Sequence, residues 1–398
     1  SAMISLSNLS DGRMAHAKSG SWWENEGQRA LANNSVAYTD KPDMEGFMRE
    51  WLSLVESKSG ERGIFSRVAA DKHVEMNGRR ETGHEWGTNP CSEIILRPYQ
   101  FCNLTEVVVR QGDDLENLRR KVRLATILGT AQSTFTKMPY LRKIWQKNTE
   151  EERLLGVSLT GIMDNYLLSK TEDSKKWLKE LKAQAIDVNR IYADKLGVPA
   201  SAAITCVKPS GTVSQLTDTA SGIHARHSKY YIRTVRGDNK DPLTQFMKDS
   251  GIPAEPCVMK PDSTTVFSFP TKSPSGAVTR NDMTALQQLE LWKNYALHWC
   301  EHKPSVTITV KDAEWMAVGA WVYENFDICS GISFLPHSDH TYAQAPYQDI
   351  DEETYNDLKK QMPTSIDWTA LSNYEKVDTT SGSQTLACTA GACELVDI

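Results

Sequence analysis

The 398-residue chain lacks any apolar run of about 18 residues, the length that a membrane-spanning helix requires. It also lacks a surplus of basic residues, because 45 Lys and Arg stand against 51 Asp and Glu, a net charge of −6. Binding to nucleic acid or to a membrane surface depends on a basic face, so this balance argues against both kinds of partner. The ordinary shares of apolar residues (39%) and charged residues (24%) exclude a disordered chain and predict a buried core.

Cysteine is also scarce, with eight residues, at positions 91, 102, 206, 257, 300, 329, 388 and 393. This density excludes a disulfide-built scaffold and favours the reducing cytoplasm, where reactive thiols are kept for chemistry. Cys206, Cys257, Cys300 and Cys329 are interpreted as core or loop thiols. The phosphate-binding Walker pattern GxxxxGK[ST] is absent from the sequence.

Hydrophobic periodicity predicts an α/β protein in which strands alternate with long helices and pair in parallel. Helical spacing is found in Met44–Ser57, Asp114–Thr136, Pro139–Lys147, Glu172–Leu196, Met283–Trp299, Ala313–Asn325 and Glu352–Lys360. Strand-like runs lie at Glu93–Leu96, Thr105–Val109, Ala202–Val207, Tyr230–Val235, Thr264–Phe269, Ser305–Val310 and Gly331–Leu335.

An amide, a thiol and a carboxylate stand at alternate positions in Asn89, Cys91 and Glu93. Pro90 disfavours a helix and a strand-like run follows, so extended backbone would point all three side chains to one face. Such a row can position a hydroxyl, react as a thiol and act as a base. On spacing alone, a buried structural cysteine beside a capping residue is the simpler interpretation.

Cys102 follows Cys91 by eleven positions, at the start of the next strand-like run. A strand, a short turn and a return could bring the two thiols together. Cysteine is among the most commonly buried residues, so the spacing alone leaves burial as an equal explanation.

A polar loop follows the strand-like segment AAITCV and consists of Ser210, Gly211, Thr212, Val213 and Ser214. Backbone N–H groups and hydroxyls in such a loop can hold an anion. An ordinary strand-to-helix turn, with Ser or Thr as the helix N-cap, explains the pattern equally well.

The C-terminal stretch changes character. Lys376–Ala387 is typical of a flexible tether and ends beside the pair Cys388 and Cys393. Zinc would need two more ligands, and the nearest histidine, His340, lies more than forty residues upstream, so no metal site is predicted. A redox dithiol that swings to another site is favoured over an inert tail.

Taken together, NPCSEI, FCNLTEV and VKPSGTVSQL followed by SGIHARHSKYYIRTVR resemble the catalytic chain of ribonucleotide reductases. GISFLP, TYAQAPYQ and the terminal CTAGAC are similar to the adenosylcobalamin-dependent class, and within it to the monomeric ribonucleoside-triphosphate reductases. The resemblance runs along the whole chain with the motifs in the family's order. It implies a ten-stranded α/β barrel of two antiparallel five-stranded halves, in which a finger loop carries the reactive cysteine to the centre.

The resemblance implies radical chemistry at the ribose. Cys91 would become a thiyl radical that takes the 3′ hydrogen and later returns it. Glu93 would accept the 3′-hydroxyl proton as general base, and Asn89 would orient the sugar hydroxyls. Adenosylcobalamin would be the source of the radical.

The remaining matches to the family imply which residues deliver electrons and which bind the substrate. Cys102 would be one of two barrel cysteines that reduce the sugar, and Cys388 with Cys393 would re-reduce that pair. Thioredoxin or a similar dithiol donor would in turn reduce the tail. The loop Ser210–Ser214 would bind the substrate phosphates, and Gly211, where a carboxylate would repel added negative charge, favours a ribonucleoside triphosphate.

The sequence departs from the family pattern because no cysteine precedes Cys91, where the second barrel cysteine is expected. The first half of the barrel and the effector site are missing too, so the chain is similar to the C-terminal part of such an enzyme. We therefore expect an N-terminal companion chain that carries the missing strands and cysteine. Within this chain we expect barrel over residues 1–345, a peripheral helical segment over 346–375 and a redox tail over 376–398.

Three other interpretations stay open. The large subunit of an iron-dependent ribonucleoside-diphosphate reductase would relay its radical through a tyrosine pair, and Tyr230 and Tyr231 are adjacent. A non-catalytic nucleotide-binding remnant would account for the missing half. A plain thiol–disulfide carrier would account for Cys388 and Cys393 alone.

Overall fold

A computed structural model of the chain describes residues 3–337 and 343–375, together with the backbone of two short strands near the C-terminus. The predicted tether up to residue 386 and the thiols of Cys388 and Cys393 lie outside the described residues. Within these ranges, no helix combines the length and the apolar character needed to cross a bilayer.

The secondary structure alternates between strands and helices along most of the chain. The strands are β1 Met3–Ser7, β2 Ala32–Tyr38, β3 Gly63–Ser66, β4 Gly87–Thr88, β5 Ile95–Leu96, β6 Asn103–Val108, β7 Leu155–Thr160, β8 Thr205–Cys206, β9 Tyr230–Asp238, β10 Ala254–Pro256, β11 Thr264–Lys272, β12 Thr307–Val310, β13 Ser333–Pro336, β14 Tyr347–Asp349, β15 Ala387–Thr389 and β16 Ala392–Glu394. The helices are α1 Gly12–Ala15, α2 Trp22–Asn25, α3 Met44–Ser57, α4 Arg67–Asn77, α5 Leu115–Gln132, α6 Lys143–Glu152, α7 Thr171–Leu196, α8 Val213–Thr217, α9 Pro242–Asp249, α10 Ala285–His298, α11 Trp315–Glu324 and α12 Glu352–Gln361.

The described residues form two compact units. The first comprises residues 3–226 and 276–337, and the second comprises residues 227–275 and 343–375. This division follows backbone contacts and does not test the boundaries predicted at 345 and 375, which stay predictions.

The first unit is built on parallel strands. β6, β7 and β8 pair in parallel, as do β1, β2 and β3, and β12 pairs in parallel with β13. Two isolated bridges join these sheets, one parallel between Val207 and Pro304 and one antiparallel between Ile64 and Ile332. The strand order is therefore β6-β7-β8-β12-β13-β3-β2-β1, with five parallel strands followed by three in the opposite direction. This confirms the predicted α/β layout, whereas closure into a ten-stranded barrel stays a prediction.

Helices cover this sheet and bury an aromatic-rich core. α5 packs on β6 and β7 and against α7, while α10 packs on α7 and β12. Trp51, Trp292 and Trp299 are buried in the core, and full burial of a large apolar side chain contributes about 1.5–3 kcal/mol. A Cβ at Gly319 would lie 2.7 Å from Trp51 Nε1, so only glycine lets α11 approach α3 this closely.

The second unit is antiparallel, with strand order β10-β11-β9-β14. The parallel pairing expected for Tyr230–Val235 and Thr264–Phe269 is therefore wrong. Thr264 pairs with Asp238, so the chain leaves and re-enters the sheet at the same end, and the intervening eight-residue α9 does not carry it across. Phe246, Ile252 and Phe267 form the small core.

Sequence periodicity located the long helices well and the strands less well. Met44–Ser57 matches α3, and Glu172–Leu196 differs from α7 by one residue. β1, β2, β3 and β7 were not predicted, and in β7 every residue is buried although Ser158 and Thr160 are polar. Buried polar positions hide the alternation that usually reveals a strand.

Candidate active site

Cys91 lies at the tip of a β-hairpin formed by β4 and β5. The chain reverses in a turn in which the Ser92 N–H donates to the Asn89 carbonyl at 2.9 Å, with Pro90 at the second position. Ser92 adopts a left-handed conformation with φ of 63°. The extended row predicted for Asn89, Cys91 and Glu93 is therefore wrong, because proline favours the second position of a β-turn and the turn wins over the strand-like composition.

Residues from β2 and from the segment before β12 hold the backbone of this tip. The Asn33 side chain donates to the Pro90 carbonyl at 2.9 Å, and the Ser305 hydroxyl donates to the Cys91 carbonyl at 2.5 Å. The Lys303 backbone N–H donates to the Glu93 carbonyl at 3.0 Å. Three of the four carbonyls from Pro90 to Glu93 are therefore anchored by residues distant in the sequence, which holds the backbone of the tip in place.

Glu93 is buried at the base of the turn, with 1% of its surface exposed. Burial raises its pKa, while a hydrogen bond from the Asn89 side chain and the charges of Lys208 and Lys303 act in the opposite direction. Within the described residues its Oε2 has no hydrogen-bond partner, although it is fully shielded. A buried, unsatisfied carboxylate oxygen is costly and is expected where a ligand completes its contacts.

Cys102 lies close enough to Glu93 for the carboxylate to affect its ionisation. Burial raises the pKa of the Cys102 thiol, and the Glu93 charge raises it further. Burial also raises the pKa of the Cys206 thiol, and the charge of Glu93 raises it further. Cys91, Cys102 and Cys206 are all outside disulfide bonds. The structure thus brings Asn89, Glu93 and Cys102 together around the Glu93 carboxylate, and their catalytic roles stay predictions.

The loop Ser210–Ser214 is anchored by a carboxylate that sequence reasoning did not assign. Glu106 on β6 accepts from Lys208 Nζ at 2.5 Å through Oε1 and from the Ser210 hydroxyl at 2.5 Å through Oε2. The Thr160 hydroxyl also donates to Oε2, at 2.9 Å. Burial opposes ionisation of Glu106, but these hydrogen bonds outweigh it and lower the pKa. Lys208 is likewise held charged, because the Glu106 contact outweighs burial and raises its pKa.

The loop offers donors to an anion. Within the described part of the chain, the backbone N–H groups of Gly211, Thr212 and Val213 donate no hydrogen bond. Ser210 adopts a left-handed conformation with φ of 54°, which turns the chain into the short helix α8. Consecutive unpaired N–H groups beside a fixed lysine suit a phosphate, and phosphate binding by this loop stays a prediction.

The turn at Gly222 packs on the back of this loop. The Ser221 hydroxyl donates to the Pro209 carbonyl at 2.5 Å, and the Gly222 φ of 56° brings its backbone against the Lys208 carbonyl. A buried bidentate pair between Arg226 and Asp164, at 2.8 Å for both contacts, anchors the end of that turn. The loop is therefore preformed by its neighbours.

Several residues of the site were missed by sequence reasoning. Glu106 and Lys208 stand inside quoted motifs, and their opposite charges could have suggested a pair. Lys303, Ser305 and Asn33 come from distant segments and carry no local signal. Of the other predicted residues, Cys388 and Cys393 lie outside the described side chains, and the tyrosine pair, Tyr230 and Tyr231, belongs to the second unit.

Comparison with solved structures gives the class of fold. The chain superposes on a crystal structure of a B12-dependent (class II) ribonucleotide reductase with a TM-score of 0.76, covering 94% of this chain and 56% of that one at 24% identity. The chain thus has an α/β fold similar to that of this class of protein.

Comparison with curated sequences points to the same class. A probable adenosylcobalamin-dependent ribonucleoside-triphosphate reductase of Dictyostelium discoideum is 29% identical over 72% of this chain. Adenosylcobalamin-dependent ribonucleoside-triphosphate reductases of Euglena gracilis and Lactobacillus leichmannii are 28% and 27% identical over 77% and 92% of it. The chain spans 38%, 42% and 53% of the length of these three relatives. No family model matches the chain. These findings confirm the resemblance to adenosylcobalamin-dependent ribonucleotide reductases that the motifs predicted.

Proposed function

We propose that this chain is the C-terminal catalytic part of an adenosylcobalamin-dependent ribonucleoside-triphosphate reductase, which converts ribonucleotides to 2′-deoxyribonucleotides. The observation that carries the proposal is the hairpin turn that gathers Asn89, Cys91 and the buried Glu93 beside Cys102. The anion-accepting loop Ser210–Ser214 supports it, because its Lys208 acts electrostatically on both Glu93 and Cys102.

In this proposal the hairpin tip is the finger loop of the barrel. Cys91, as a thiyl radical, takes the hydrogen from ribose C3′ and later returns it. Glu93, whose Oε2 is left without a partner, accepts the 3′-hydroxyl proton, and Asn89 orients the sugar hydroxyls. The C2′–OH bond is then reduced to C2′–H, one water leaves, and two thiols, one of them Cys102, become a disulfide.

Adenosylcobalamin fits the chemistry of the donor set. When bound, this cofactor supplies a radical by homolysis of its carbon–cobalt bond. What the chain must offer is a thiol that an external radical source can approach, and Cys91 is partly exposed at a tip whose backbone is held in place. The surrounding residues hold the backbone at the thiol, and the Glu93 carboxylate is shielded from water.

The open edge of the sheet supports the proposal that a companion chain completes the barrel. In the described residues β1 has β2 as its sole paired neighbour, so its outer edge is open. Five strands run one way and three run the other, so two more strands beside β1 would equalise the halves. Unpaired edges of this kind are normally covered. We propose that an N-terminal companion supplies these strands and the cysteine partner of Cys102.

The same proposal gives the tail cysteines a redox role and makes the substrate a ribonucleoside triphosphate. Cys388 and Cys393 exchange with the barrel disulfide and are reduced by thioredoxin or a similar dithiol. A flexible tether raises the effective concentration of such a pair to about the millimolar range. Gly211 at the exposed turn of the phosphate loop leaves room and neutral charge for a triphosphate, since nothing lies within 4 Å of a Cβ built there.

The decisive experiment measures 2′-deoxynucleotide formation from ribonucleoside triphosphates. The assay contains this chain, its N-terminal companion, a dithiol reductant, and adenosylcobalamin as the sole radical source. Product that depends on the cobalamin is the expected result. Product that forms only after an iron or manganese radical subunit is added would overturn the cofactor assignment and favour the iron-dependent class.

A matched variant separates those two outcomes. Replacing both tyrosines, Tyr230→Phe and Tyr231→Phe, removes the hydroxyls that a radical relay through this pair would require. The cobalamin-dependent reaction is expected to keep its rate in this double variant. Loss of turnover with normal nucleotide binding would instead support a tyrosine relay.

A further inference from the structure

Lys303 is a buried lysine without an acidic contact. It is 1% exposed, and within the described residues no carboxylate oxygen lies within 4.0 Å of its ammonium group. Its Nζ donates to the Ser92 hydroxyl at 2.8 Å and to the Ser330 carbonyl at 3.5 Å, and it lies 4.5 Å from the centre of the Phe65 ring. A buried charge is expensive unless it is fully paired, so its position requires an explanation.

The surrounding chain makes room for this ammonium group beside the hairpin tip. A Cβ at Gly331 would lie 2.7 Å from Lys303 Nζ and 2.7 Å from Ser92 Oγ, so a larger residue there would displace the contact between them. The same lysine also holds the tip through its backbone N–H, which donates to the Glu93 carbonyl at 3.0 Å. Two independent bonds from one residue therefore hold the two residues that follow Cys91, one to the Ser92 side chain and one to the Glu93 backbone.

We propose that Lys303 is a positioning residue of the reaction, whose buried ammonium group fixes the turn that carries Cys91 and favours the ionised form of Glu93. This inference rests on the proposed function and adds a residue to it. Lys303 acts through Ser92 and Glu93 and makes no contact with the sugar in this scheme.

The electrostatics agree with this geometry. Burial lowers the pKa of Lys303 to about 7, and the negative charge of Glu93 opposes that shift. Lys303 and Lys208 both favour the charged form of Glu93, which burial disfavours. The charged groups that act on Glu93 are thus two lysines from different segments of the chain, and a general base that must ionise in a dry site needs such support.

The other titratable neighbours do not replace this charge. Burial keeps His302, which accepts from the Ile95 N–H and contacts the Leu155 carbonyl, far below its ordinary pKa. His73 is also held neutral by burial, with its pKa lowered to about 4, and the charge of Lys303 contributes to that shift. Near neutral pH the tip therefore depends on lysines for positive charge.

The test uses three variants with different expected outcomes. Lys303→Met keeps the length and burial of the side chain but removes both the charge and the bond to Ser92. Ser92→Ala removes the bond and keeps the charge. Lys293→Met is the matched control, because that lysine donates to the neutral Asn325 side chain at 2.8 Å, outside the tip.

The first measurement needs no turnover. Labelling of Cys91 with N-ethylmaleimide is followed by peptide mapping on the full chain at pH 6.5, where Lys303 is charged. The variants Lys303→Met and Ser92→Ala are expected to label about three to ten times faster than the parent, because the turn is no longer fixed. Lys293→Met is expected to label at the parent rate. Equal labelling of all four proteins overturns the positioning role, whether or not the proposed reaction is found.

The second measurement is the pH profile of kcat/KM in the assembled reductase. Loss of the Lys303 charge raises the pKa of Glu93, so the acid limb is expected to move to higher pH in Lys303→Met. Ser92→Ala and Lys293→Met are expected to leave the limb in place. An unshifted limb in Lys303→Met overturns the electrostatic role. Absence of turnover in the parent would count against the proposed function. The labelling result would then still decide whether Lys303 fixes the turn that carries Cys91.

Discussion

Two lysine–glutamate pairs stand in the same site and are built in opposite ways. Lys208 and Glu106 are in direct contact at 2.5 Å, and the contact drives both groups toward their charged forms. Lys303 and Glu93 are more deeply buried and interact without a direct ion pair, and burial drives both toward their neutral forms. The first pair is a fixed electrostatic frame, whereas in the second each charge only partly offsets the burial that disfavours the other. Binding of phosphate suits the first arrangement and general-base chemistry suits the second.

Replacing the Cys91 thiol is expected to have the largest effect on deoxynucleotide formation. In Cys91→Ser the turn keeps its backbone bonds, but a serine hydroxyl is far harder to convert to a radical than a thiol. We expect deoxynucleotide formation to fall at least about 10³-fold, with triphosphate binding unchanged. Turnover assays and equilibrium binding measure both. Turnover at the parent rate would exclude Cys91 as the radical-bearing thiol, whereas nucleotide binding without turnover in the parent would favour the interpretation of the chain as a nucleotide-binding remnant.

Removing the charge of the buried base separates function from stability. Glu93→Gln keeps the shape of the side chain and removes a carboxylate whose burial is unfavourable. We expect kcat to fall by about 10²–10⁴-fold while the free energy of unfolding stays the same or rises. Steady-state kinetics and urea unfolding provide the two values. A large loss of stability would show that Glu93 is a structural ion, like Glu106.

The matching change in the other pair is expected to act on substrate binding. Glu106→Gln leaves Lys208 without its counter-charge and weakens the bond to Ser210, so the phosphate loop loses its anchor. We expect KM for the triphosphate to rise about tenfold and the free energy of unfolding to fall by about 1–3 kcal/mol. Asp113→Asn is the control, because it breaks a lysine contact of the same 2.5 Å length outside the site. If the control raises KM equally, the effect is not specific to the loop.

The smallest expected effect concerns pH and the neutral groups behind the hairpin. Burial keeps the pKa of His302 well below its ordinary value of 6.5 in the folded chain. The unfolded chain therefore binds a proton that the folded chain does not, and the free energy of unfolding should decrease as pH falls below 6.5. His302→Gln can keep both hydrogen bonds and should show a smaller decrease between pH 7.5 and pH 5 in urea unfolding. An unchanged decrease would assign the acid sensitivity to other groups.

The sequence predicted some of these features better than others. The long helices were found because each keeps an apolar face over many turns, as α3 and α7 do. β7 was missed because Ser158 and Thr160 are polar yet buried, each satisfied by a partner from another segment, Lys208 and Glu106. Local pattern cannot reveal a polar residue whose partner lies fifty or more positions away.

In the candidate site, too, the sequence predicted some features and missed others. Asn89, Cys91, Glu93, Cys102 and the loop after β8 were identified from short motifs, because those residue types in that order resemble one family of enzymes. Their spatial arrangement was predicted wrongly for the hairpin, where a turn replaced the extended row. Lys303 and Ser305 were not identified, since they reach the tip only because β12 lies beside the hairpin in space.

The sequence by itself determined the helices, the α/β class, the reactive residue types and the resemblance to cobalamin-dependent reductases. These are properties of local periodicity and of short motifs, which do not depend on distant contacts. Only the tertiary structure decided which lysine meets which glutamate, and how deeply each pair is buried. Burial and charge contact act over a few ångströms between segments more than one hundred residues apart, so the ionisation of Glu93 and Glu106 follows from the fold.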